Sequence, residues 1–555
     1  MTPALQASSP SRPQKDSSAD KMLKPDVLTE DLMSERSSLG IRKARQSFLV
    51  NVSSNLAFVL VQTVANLWLT PYLIHYLGIA VFGMVPLVSS LVSYMAILGT
   101  AHHATVSRFL AIELEHGEGV SANKTFNTAL FATIGAILAL GPLILVISFV
   151  FSTLFHVPPG WERDAGWLFA IVGMSFFVTT VSNNFGVSPF IHSRFLWINI
   201  VNLVALLARM GLMFALFSLF RARLWYVGAG ILTSALISLV AFALLWRKLT
   251  PELHVQIKAF DRSRLGALTG MGGWVAVNTV GAMLLGGADL LIVNAFFGAA
   301  MTGGYASAAQ FSALMQYLVG TVGGVIRPVI LIRYAQGDLA GLRDLSSRVI
   351  RLLGFALALP VGLLCGFSRP LLTVWLGPSF GYLSVLLVVI VCHLSLNLSV
   401  RPLLDVQNAF NKVRWPGIVT LLSGGLDLGL AVALATWGKW GATGVAVACA
   451  VAWTAKNGFY VPIYTARIMK LPWWAFLPSL SASVIGTLFV GIASYGLASV
   501  RMPGNWFTLA YSAALVSLVY AAVVWAIGLS RADRQLLKDL YPLRAAGTKS
   551  VLPTG

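Results

Sequence analysis

Apolar runs of about 20 residues follow one another from residue 48 to residue 529, with short polar turns between them. A run of that length is what an α-helix needs to cross roughly 30 Å of hydrocarbon. Fourteen such runs can be counted. The whole chain is 57% hydrophobic and only 11% charged, whereas about 25% of the residues of a soluble protein are charged. The sequence therefore predicts an all-α polytopic membrane protein with about 14 transmembrane helices and excludes a soluble enzyme of several domains.

The charges of the chain are segregated by side of the membrane. The 39 Lys and Arg residues exceed the 20 Asp and Glu residues by 19, a balance that in a soluble protein would suggest nucleic-acid binding. With a cytoplasmic N-terminus, 29 of the 39 basic residues fall on or at the edge of the cytoplasmic side, and six fall outside. This distribution follows the positive-inside rule. It predicts a bacterial inner-membrane protein with both termini in the cytoplasm and no nucleic-acid partner.

Composition and the order of the spans divide the chain into six segments. The first 46 residues are rich in Ser, Pro and charge and have no signal-peptide core, so they are predicted to be disordered. The predicted segments are a cytoplasmic tail (1–46), a lobe of six spans (47–246), a cytoplasmic linker (247–269), a second lobe of six spans (270–465), two further spans (466–529) and a second cytoplasmic tail (530–555).

The two predicted lobes contain an internal repeat. YLGIAVFG at 76–83 is matched by FFGAAMTG at 296–303, and the turn SPFIHSRFLW at 188–197 is matched by QNAFNKVRWP at 407–416. Both matches have an offset of roughly 220 residues, which spans six crossings. Because six is even, both lobes enter the membrane in the same orientation. Such parallel repeats are related by an axis along the membrane normal, with the substrate site between them. The repeat predicts two lobes around a central cavity.

Four segments resemble the signature regions of Wzx-type polysaccharide flippases, a family of the multidrug/oligosaccharidyl-lipid/polysaccharide (MOP) exporter superfamily. They are LTPYLIHYLGIAVFG (69–83), ADLLIVNAFFGAAMTGGYASAAQF (288–311), LALPVGLLCGFSRPLLTVWLGPSF (357–380) and KWGATGVAVACA (439–450). The resemblance implies alternating access and translocation of undecaprenyl-pyrophosphate-linked oligosaccharide repeat units for O-antigen or exopolysaccharide biosynthesis. It also implies H⁺ or Na⁺ as coupling ion, and a polysaccharide polymerase and a chain-length regulator as partners.

Basic side chains within the spans are the candidates for binding the pyrophosphate. They are Arg209, Lys456, Arg401 and Arg327. Ionisable groups inside a bilayer are costly and mark functional sites, and guanidinium groups suit oxyanions. The alternative for Arg209 and Lys456 is a structural pair between helices. Arg327 lies near the cytoplasmic end of its span, where it could snorkel, and Arg401 has Asp405 one helical turn away as an ion-pair partner.

Two acidic residues within the spans are the candidates for ion coupling, Asp289 and Asp427. A carboxylate in the middle of a membrane can bind H⁺ or Na⁺. The alternative is a hydrogen bond or a salt bridge between helices, and the residues alone do not decide between the two.

Amide side chains are the candidates for contacts with the sugar. Asn51, Asn55, Gln62 and Asn66 fall within about 60° of one another on a helical wheel of the first span. A polar stripe on an apolar span faces protein or a wet cavity. Asn55, Gln62 and Asn66 are therefore predicted to line the cavity, together with Asn183 of the fourth span. Polar packing between helices is the alternative.

Two other classes of protein were weighed against the flippase. A MATE-like cation or drug antiporter would need carboxylates in its cavity, but the first span carries amides and no acid. An integral glycosyltransferase or polymerase would need a large outer loop, and the predicted outer loops are short. Neither a Walker-type phosphate loop nor a metal-binding spacing of the three cysteines is present in the sequence. A transporter is predicted, not an enzyme, with no cofactor and no metal site.

Overall fold

The computed structural model describes residues 26–95, 97–264, 273–530 and 533–534. Within these ranges the regular structure is helical throughout and contains no strand, which confirms the all-α fold. The predicted tails 1–46 and 530–555 and the linker 247–269 lie partly outside them. Residues 26–46, predicted to be disordered, have a helical backbone here. Residues up to Ala57 and residues from Phe58 onwards form two separate compact units, and the description below concerns the second.

The first half of the bundle is built from eight helices in the described residues. They are α1 (Asp26–Phe82), α2 (Met84–Met95), α3 (Ile97–Glu115), α4 (Gly119–Phe149), α5 (Phe151–Leu154), α6 (Glu162–Ile191), α7 (Phe195–Leu219) and α8 (Trp225–Leu249). A buried apolar core joins α1, α2, α6, α7 and α8, with Met84, Leu87, Leu168, Met213 and Val227 fully enclosed.

The second half begins after the linker and ends with two additional helices. Its helices are α9 (Gly273–Leu284), α10 (Asp289–Ala335), α11 (Leu339–Gly366), α12 (Ser368–Trp375), α13 (Ser384–Cys392), α14 (Leu394–Ser399), α15 (Arg401–Ala409), α16 (Arg414–Thr436), α17 (Gly441–Trp453) and α18 (Val461–Ile468). The additional helices are α19 (Leu477–Val500) and α20 (Trp506–Val523). They pack on α11, where Gly354 lies against Ser483 and Gly366 against Ser494.

Eleven helices in the described residues are long and apolar enough to cross a membrane. The prediction of about 14 differs at three places. The second predicted span is divided between α2 and α3, and the seventh and eighth are merged in one apolar stretch, Val277–Gly320. The twelfth is interrupted by a π-helical segment, Thr454–Tyr460, that follows α17. The number of crossings therefore stays a prediction.

The internal repeat is present in the backbone. Gly78 and Gly298 each interrupt a helix with nearly the same conformation, φ 77° and ψ 159° against φ 76° and ψ −178°. Ser193 and Asn411 both have φ 54°. The turn around Ser193 and the turn around Asn411 also share their hydrogen bonds, residue by residue, at an offset of 218.

A third pair of equivalent turns was not found in the sequence. Gly117 and Gly337 both have φ 73°. The residue after each, Glu118 or Asp338, donates its backbone N–H to the carbonyl five residues before it. The two halves are thus built on the same sequence of helix ends, as parallel repeats require.

The two halves meet where the matched glycines lie. A Cβ on Gly83 would come within 2.6 Å of the backbone nitrogen of Gly303, and a Cβ on Gly303 would come within 2.1 Å of the carbonyl oxygen of Ile79. Further along this end of the bundle, His156 and Asn294 bind reciprocally. The backbone N–H of His156 donates to Asn294 Oδ1 at 2.9 Å, and His156 Nδ1 lies 3.0 Å from the Asn294 carbonyl oxygen.

Candidate functional site

Three spans of the second half lose regular helix around one cavity. The chain between α9 and α10 turns at 285–288, with Gly286 at φ 84°. The helix of the tenth predicted span breaks at His393 and again at Val400. In the twelfth predicted span, the π-helical segment Thr454–Tyr460 replaces α-helix. Irregular backbone at membrane depth occurs where it is enclosed by protein or lines a cavity, and π-helical turns are frequent at functional sites.

This cavity, called here the C-cavity, has a volume of about 490 Å³. Its polar wall includes Asp289, Tyr305, Gln316, His393, Asn397, Arg401, Trp453, Lys456 and Asn457. A volume of this size is within the range of roughly 300–1,000 Å³ that small-molecule sites occupy.

Two of the predicted phosphate-binding cations, Arg401 and Lys456, line the C-cavity. They come from α15 and from the π-helical segment, so the two breaks in regular helix bring them together. Asp405, expected as the ion-pair partner of Arg401, instead lies 4.0 Å from Arg327 (Nε to Oδ1). The side chain of Arg327 is 61% exposed. Arg327 is not among the residues that line the C-cavity.

The two predicted ion-coupling carboxylates lie together at the edge of the C-cavity. Asp289 begins α10 and Asp427 lies on α16, and both are buried. The Tyr305 hydroxyl donates to Asp289 Oδ2 at 2.5 Å, and the backbone N–H of Gly286 donates to Asp427 Oδ2 at 2.8 Å. The other oxygen of Asp427 has no hydrogen-bond partner among the described residues.

Cys449 of α17 completes this cluster. Its sulfur and one oxygen of each carboxylate all lie within 4.8 Å of one another, an arrangement that could hold a cation. No sequence pattern predicts such a group, because the three residues come from three different helices and share no spacing. Oxygen-rich sites suit Na⁺, H⁺ and hard divalent ions.

A second cavity, called here the N-cavity, has a volume of about 420 Å³ and lies on the other side of α10. Ala313 lines both cavities, so one helix separates them. The polar wall of the N-cavity includes Gln62, Thr63, Asn66, Ser89, Arg209, Gln310 and Tyr317, and no Asp or Glu of the described residues lines it.

The structure brings Arg209 of α7 to the predicted amides Gln62 and Asn66 of α1. Arg209 Nε is buried and has no hydrogen-bond partner within the described ranges. Gln310 of α10 completes the wall and donates to Thr70 Oγ1 at 2.5 Å. Because a buried N–H of a charged group left unpaired is costly, the arrangement fits an anionic group bound in the N-cavity.

Two predicted sugar-contacting residues do not line either cavity. Asn183 of α6 is exposed, and its buried neighbour Asn184 donates to Thr133 Oγ1 and to the Thr180 carbonyl oxygen. Asn55 is also exposed and belongs to the unit that ends at Ala57. Their predicted roles remain untested.

Most residues of the polar wall of the C-cavity were not among the predicted site residues. Tyr305, His393, Asn397, Trp453 and Asn457 are not charged, and so they did not stand out among apolar runs. One signal was available: Asn457 directly follows Lys456, and His393 and Asn397 are four residues apart, on one face of a helix.

Comparison with known proteins places the chain in a family. No protein-family model matches it. The membrane protein EpsK of Bacillus subtilis (strain 168), whose function is uncharacterised, is 30% identical over 490 residues, which cover 88% of this chain and 97% of EpsK.

Two solved structures are similar to it in fold. The lipid II flippase MurJ, in an inward closed conformation, is 13% identical with a TM-score of 0.63, over 88% of this chain and 100% of that one. A multidrug resistance MATE family transporter of the MOP superfamily, in an inward-facing conformation, is 13% identical with a TM-score of 0.52, over 81% and 99% of the two chains. The protein is therefore a multi-pass membrane protein that belongs to the family of EpsK.

Proposed function

We propose that the protein is a flippase of the Wzx type that moves undecaprenyl-pyrophosphate-linked oligosaccharide repeat units across the bacterial inner membrane for surface polysaccharide biosynthesis. The observation that carries this proposal is the N-cavity. It combines a guanidinium whose buried Nε is unpaired with amide side chains, and it has no carboxylate among the described residues of its wall. An anion with an attached sugar matches this wall, because the guanidinium binds phosphate oxygens and the amides bind hydroxyl groups.

The similar folds support a transport function of this kind. MurJ is described as a lipid II flippase and the MATE protein as a transporter, and both have the fold of this chain. In the proposed orientation both termini are cytoplasmic, so the end of the bundle with Gly83 and Gly303 faces outwards. Close contact there leaves the cavities to open towards the cytoplasm, where the substrate is made. Movement of the two halves against each other then opens the cavities alternately to the two sides of the membrane.

In the proposed mechanism, Arg209 of the N-cavity and the pair Arg401 and Lys456 of the C-cavity bind the substrate pyrophosphate in turn, since one helix separates the two cavities. The carboxylates Asp289 and Asp427 bind H⁺ or Na⁺. Transport, not bond chemistry, is the proposed activity. A polysaccharide polymerase and a chain-length regulator are the proposed partners.

A MATE-like antiporter of small cations is the second candidate, and the pair of buried carboxylates favours it. Against it stands the absence of acid in the described wall of the N-cavity. The two candidates differ in the sign of the substrate charge, and that sign can be tested directly.

The decisive experiment is deletion of the gene, followed by analysis of lipid-linked intermediates and complementation with variants. We expect undecaprenyl-pyrophosphate oligosaccharide to accumulate in the cytoplasmic leaflet, and Arg209→Gln to fail to relieve it. Arg221→Gln is the matched control, since Arg221 is exposed just beyond the end of the same helix. Normal surface polymer together with altered drug tolerance would instead support the antiporter.

A further inference from the structure

The wall of the C-cavity carries neutral polar atoms that neither the ion cluster nor the cations use. Trp453 Nε1, Asn397 Oδ1 and Asn457 Oδ1 are buried and have no hydrogen-bond partner in the part of the chain that the structure describes. Asn397 is 2% exposed and Asn457 is 7% exposed. Leaving a buried polar atom unpaired costs about 1–3 kcal/mol, and three such atoms on residues that line one cavity indicate a ligand that pairs them.

Hydrogen bonds inside the protein fix which atoms of the two amides are left over. Asn397 Nδ2 donates to His393 Nδ1 at 2.8 Å and to Thr454 Oγ1 at 3.1 Å. Asn457 Nδ2 donates to the Asn397 carbonyl oxygen at 3.2 Å. The side-chain nitrogen of each Asn therefore donates inside the protein, and the side-chain oxygen of each is left unpaired.

This combination of donors and acceptors selects a hydroxyl-bearing ligand. A phosphate group only accepts hydrogen bonds, so it would leave both amide oxygens unpaired. A metal ion would satisfy the oxygens but leave the indole N–H unpaired. A hydroxyl group donates and accepts, and neighbouring hydroxyls of a sugar ring do so at spacings that suit several partners at once.

Space beside the indole is provided by Gly286. A Cβ on this residue would lie 3.6 Å from Trp453 Nε1 and 3.1 Å from Cys449 Sγ, so any larger residue would cover the indole nitrogen. The ring of Trp453 also lies 6.2 Å from that of His393 between centroids. Aromatic rings at the wall of a cavity offer an apolar face beside the polar atoms.

We propose that Trp453, Asn397 and Asn457 form a carbohydrate subsite in the C-cavity, which binds a neutral sugar ring beside Arg401 and Lys456. This deepens the proposed function, on which it rests for the source of the sugar, and it places sugar recognition in the second half as well as at the amides of α1. Arg401 and Lys456 then hold the pyrophosphate, and the subsite recognises the sugar ring attached to that pyrophosphate.

Saturation-transfer NMR on the purified full chain in nanodiscs tests the subsite, because it detects millimolar binding. The probes are glucose, galactose, rhamnose and N-acetylglucosamine. We expect at least one sugar to bind the wild type. Trp453→Phe, which keeps an aromatic ring and removes the indole hydrogen-bond donor, should weaken this binding roughly threefold to tenfold. Asn457→Leu should weaken it to a similar extent. Trp437→Phe is the matched control, since Trp437 is 86% exposed at the end of α16.

The proposal is overturned if none of these sugars binds the wild type, or if Trp453→Phe binds as well as the control. Two results together would support the subsite and reject the flippase: sugar binding that depends on Trp453, and unchanged lipid-linked intermediates after deletion of the gene. The two proposals can therefore fail separately.

Discussion

Single buried polar side chains carry most of the functional information in this protein. Asp289 and Asp427 are enclosed by apolar helices, where the Tyr305 hydroxyl and the Cys449 thiol bond to Asp289 and the Gly286 backbone N–H donates to Asp427. Two neighbouring carboxylates do not both ionise without a cation between them. The pair is thus suited to binding one H⁺ or one Na⁺ at a time.

Removing either carboxylate is expected to uncouple transport. We predict that Asp289→Asn and Asp427→Asn each reduce clearance of lipid-linked intermediates at least tenfold, about 1.4 kcal/mol, because an amide at either position removes the charge that attracts the ion. Quantified lipid intermediates in a deletion strain expressing each variant check this. Asp344→Asn, an exposed position on α11, should behave as wild type. Full activity in both cluster variants would assign the pair a structural role.

Arg401 and Arg327 offer a matched comparison of two cations. Both side chains are exposed, but Arg401 lines the C-cavity, whereas Arg327 does not line it and pairs with Asp405 at 4.0 Å. Exposed ion pairs contribute about 0–1 kcal/mol. We predict that Arg401→Gln abolishes complementation and that Arg327→Gln changes it less than threefold, as measured by surface polysaccharide in the deletion strain. Equal defects would contradict the assignment of Arg401 to the substrate.

At the scale of helices, glycine positions decide how the two halves fit. Gly303 of α10 has the Ile79 carbonyl oxygen in the place where its Cβ would be, and Gly83 has the backbone of Gly303. Such backbone contact lets two helices approach as small residues do elsewhere in membrane proteins.

Substitution at this contact is therefore expected to drive the halves apart. We predict that Gly303→Ala lowers the melting temperature, because the added methyl group cannot be placed without moving Ile79. The variant should also make the cavity surfaces more accessible to a labelling reagent added from the outside. Overpacking of this kind costs about 1–3 kcal/mol. Gly320→Ala in the same helix has open space around its Cβ and serves as the control. An unchanged variant at position 303 would show that the contact is not maintained in solution.

The segment that follows α20 is tied to α11 by an ion pair whose carboxylate is buried. Asp533 accepts from Arg351 and from both the backbone N–H and the hydroxyl of Ser530. Burial alone raises the pKa of Asp533, but the hydrogen bonds from Ser530 and Arg351 outweigh it and hold the pKa below its ordinary value. The charged form is therefore favoured by folding.

The sign of the pH dependence follows from that lowered pKa. The stabilisation is complete above about pH 4, the ordinary range of an Asp pKa, and is lost as the pH falls through the folded-state pKa. We predict that Asp533→Ala lowers stability by about 1–3 kcal/mol at neutral pH and that the difference from wild type shrinks on acidification. Thermal unfolding across pH measures this, with the exposed Glu252→Gln as control. A difference that grows on acidification would refute the ion pair.

At the scale of the whole molecule, contacts between the two halves stabilise the conformation observed in the structure. His156 and Asn294 join them at the end with the matched glycines, and Trp375 Nε1 donates to the Leu67 carbonyl oxygen at 2.9 Å. Alternating access requires the first of these contacts to open.

A covalent link at that contact is expected to stop the cycle. We predict that the double variant His156→Cys, Asn294→Cys loses transport under oxidising conditions and regains it on reduction, because the two residues lie side by side in the closed state. Surface polysaccharide before and after reduction is the measurement. The single variants, which retain the native cysteines, should be insensitive to oxidation. Activity in the oxidised double variant would mean that this end need not open.

The sequence by itself determined that this protein folds in a membrane and that it is built from helices in two repeats. Apolar runs of helical length leave the backbone no way to cross a membrane other than as helices, and the matched glycine motifs predicted the repeat whose turns have the same backbone conformation at Gly78 and Gly298. Arg209, Gln62 and Asn66 were also predictable, because charge or a polar stripe stands out on an apolar helix.

The composition of the sites was decided only by the tertiary structure. Asp289, Asp427 and Cys449 form a cluster because three helices bring them together. Trp453, Asn397 and Asn457 carry unpaired atoms because hydrogen bonds across two interrupted helices use the other half of each amide. A helical wheel gives the direction of a side chain but not its partner, so pairing, and with it the distinction between a packed amide and a binding one, exists only in the folded bundle.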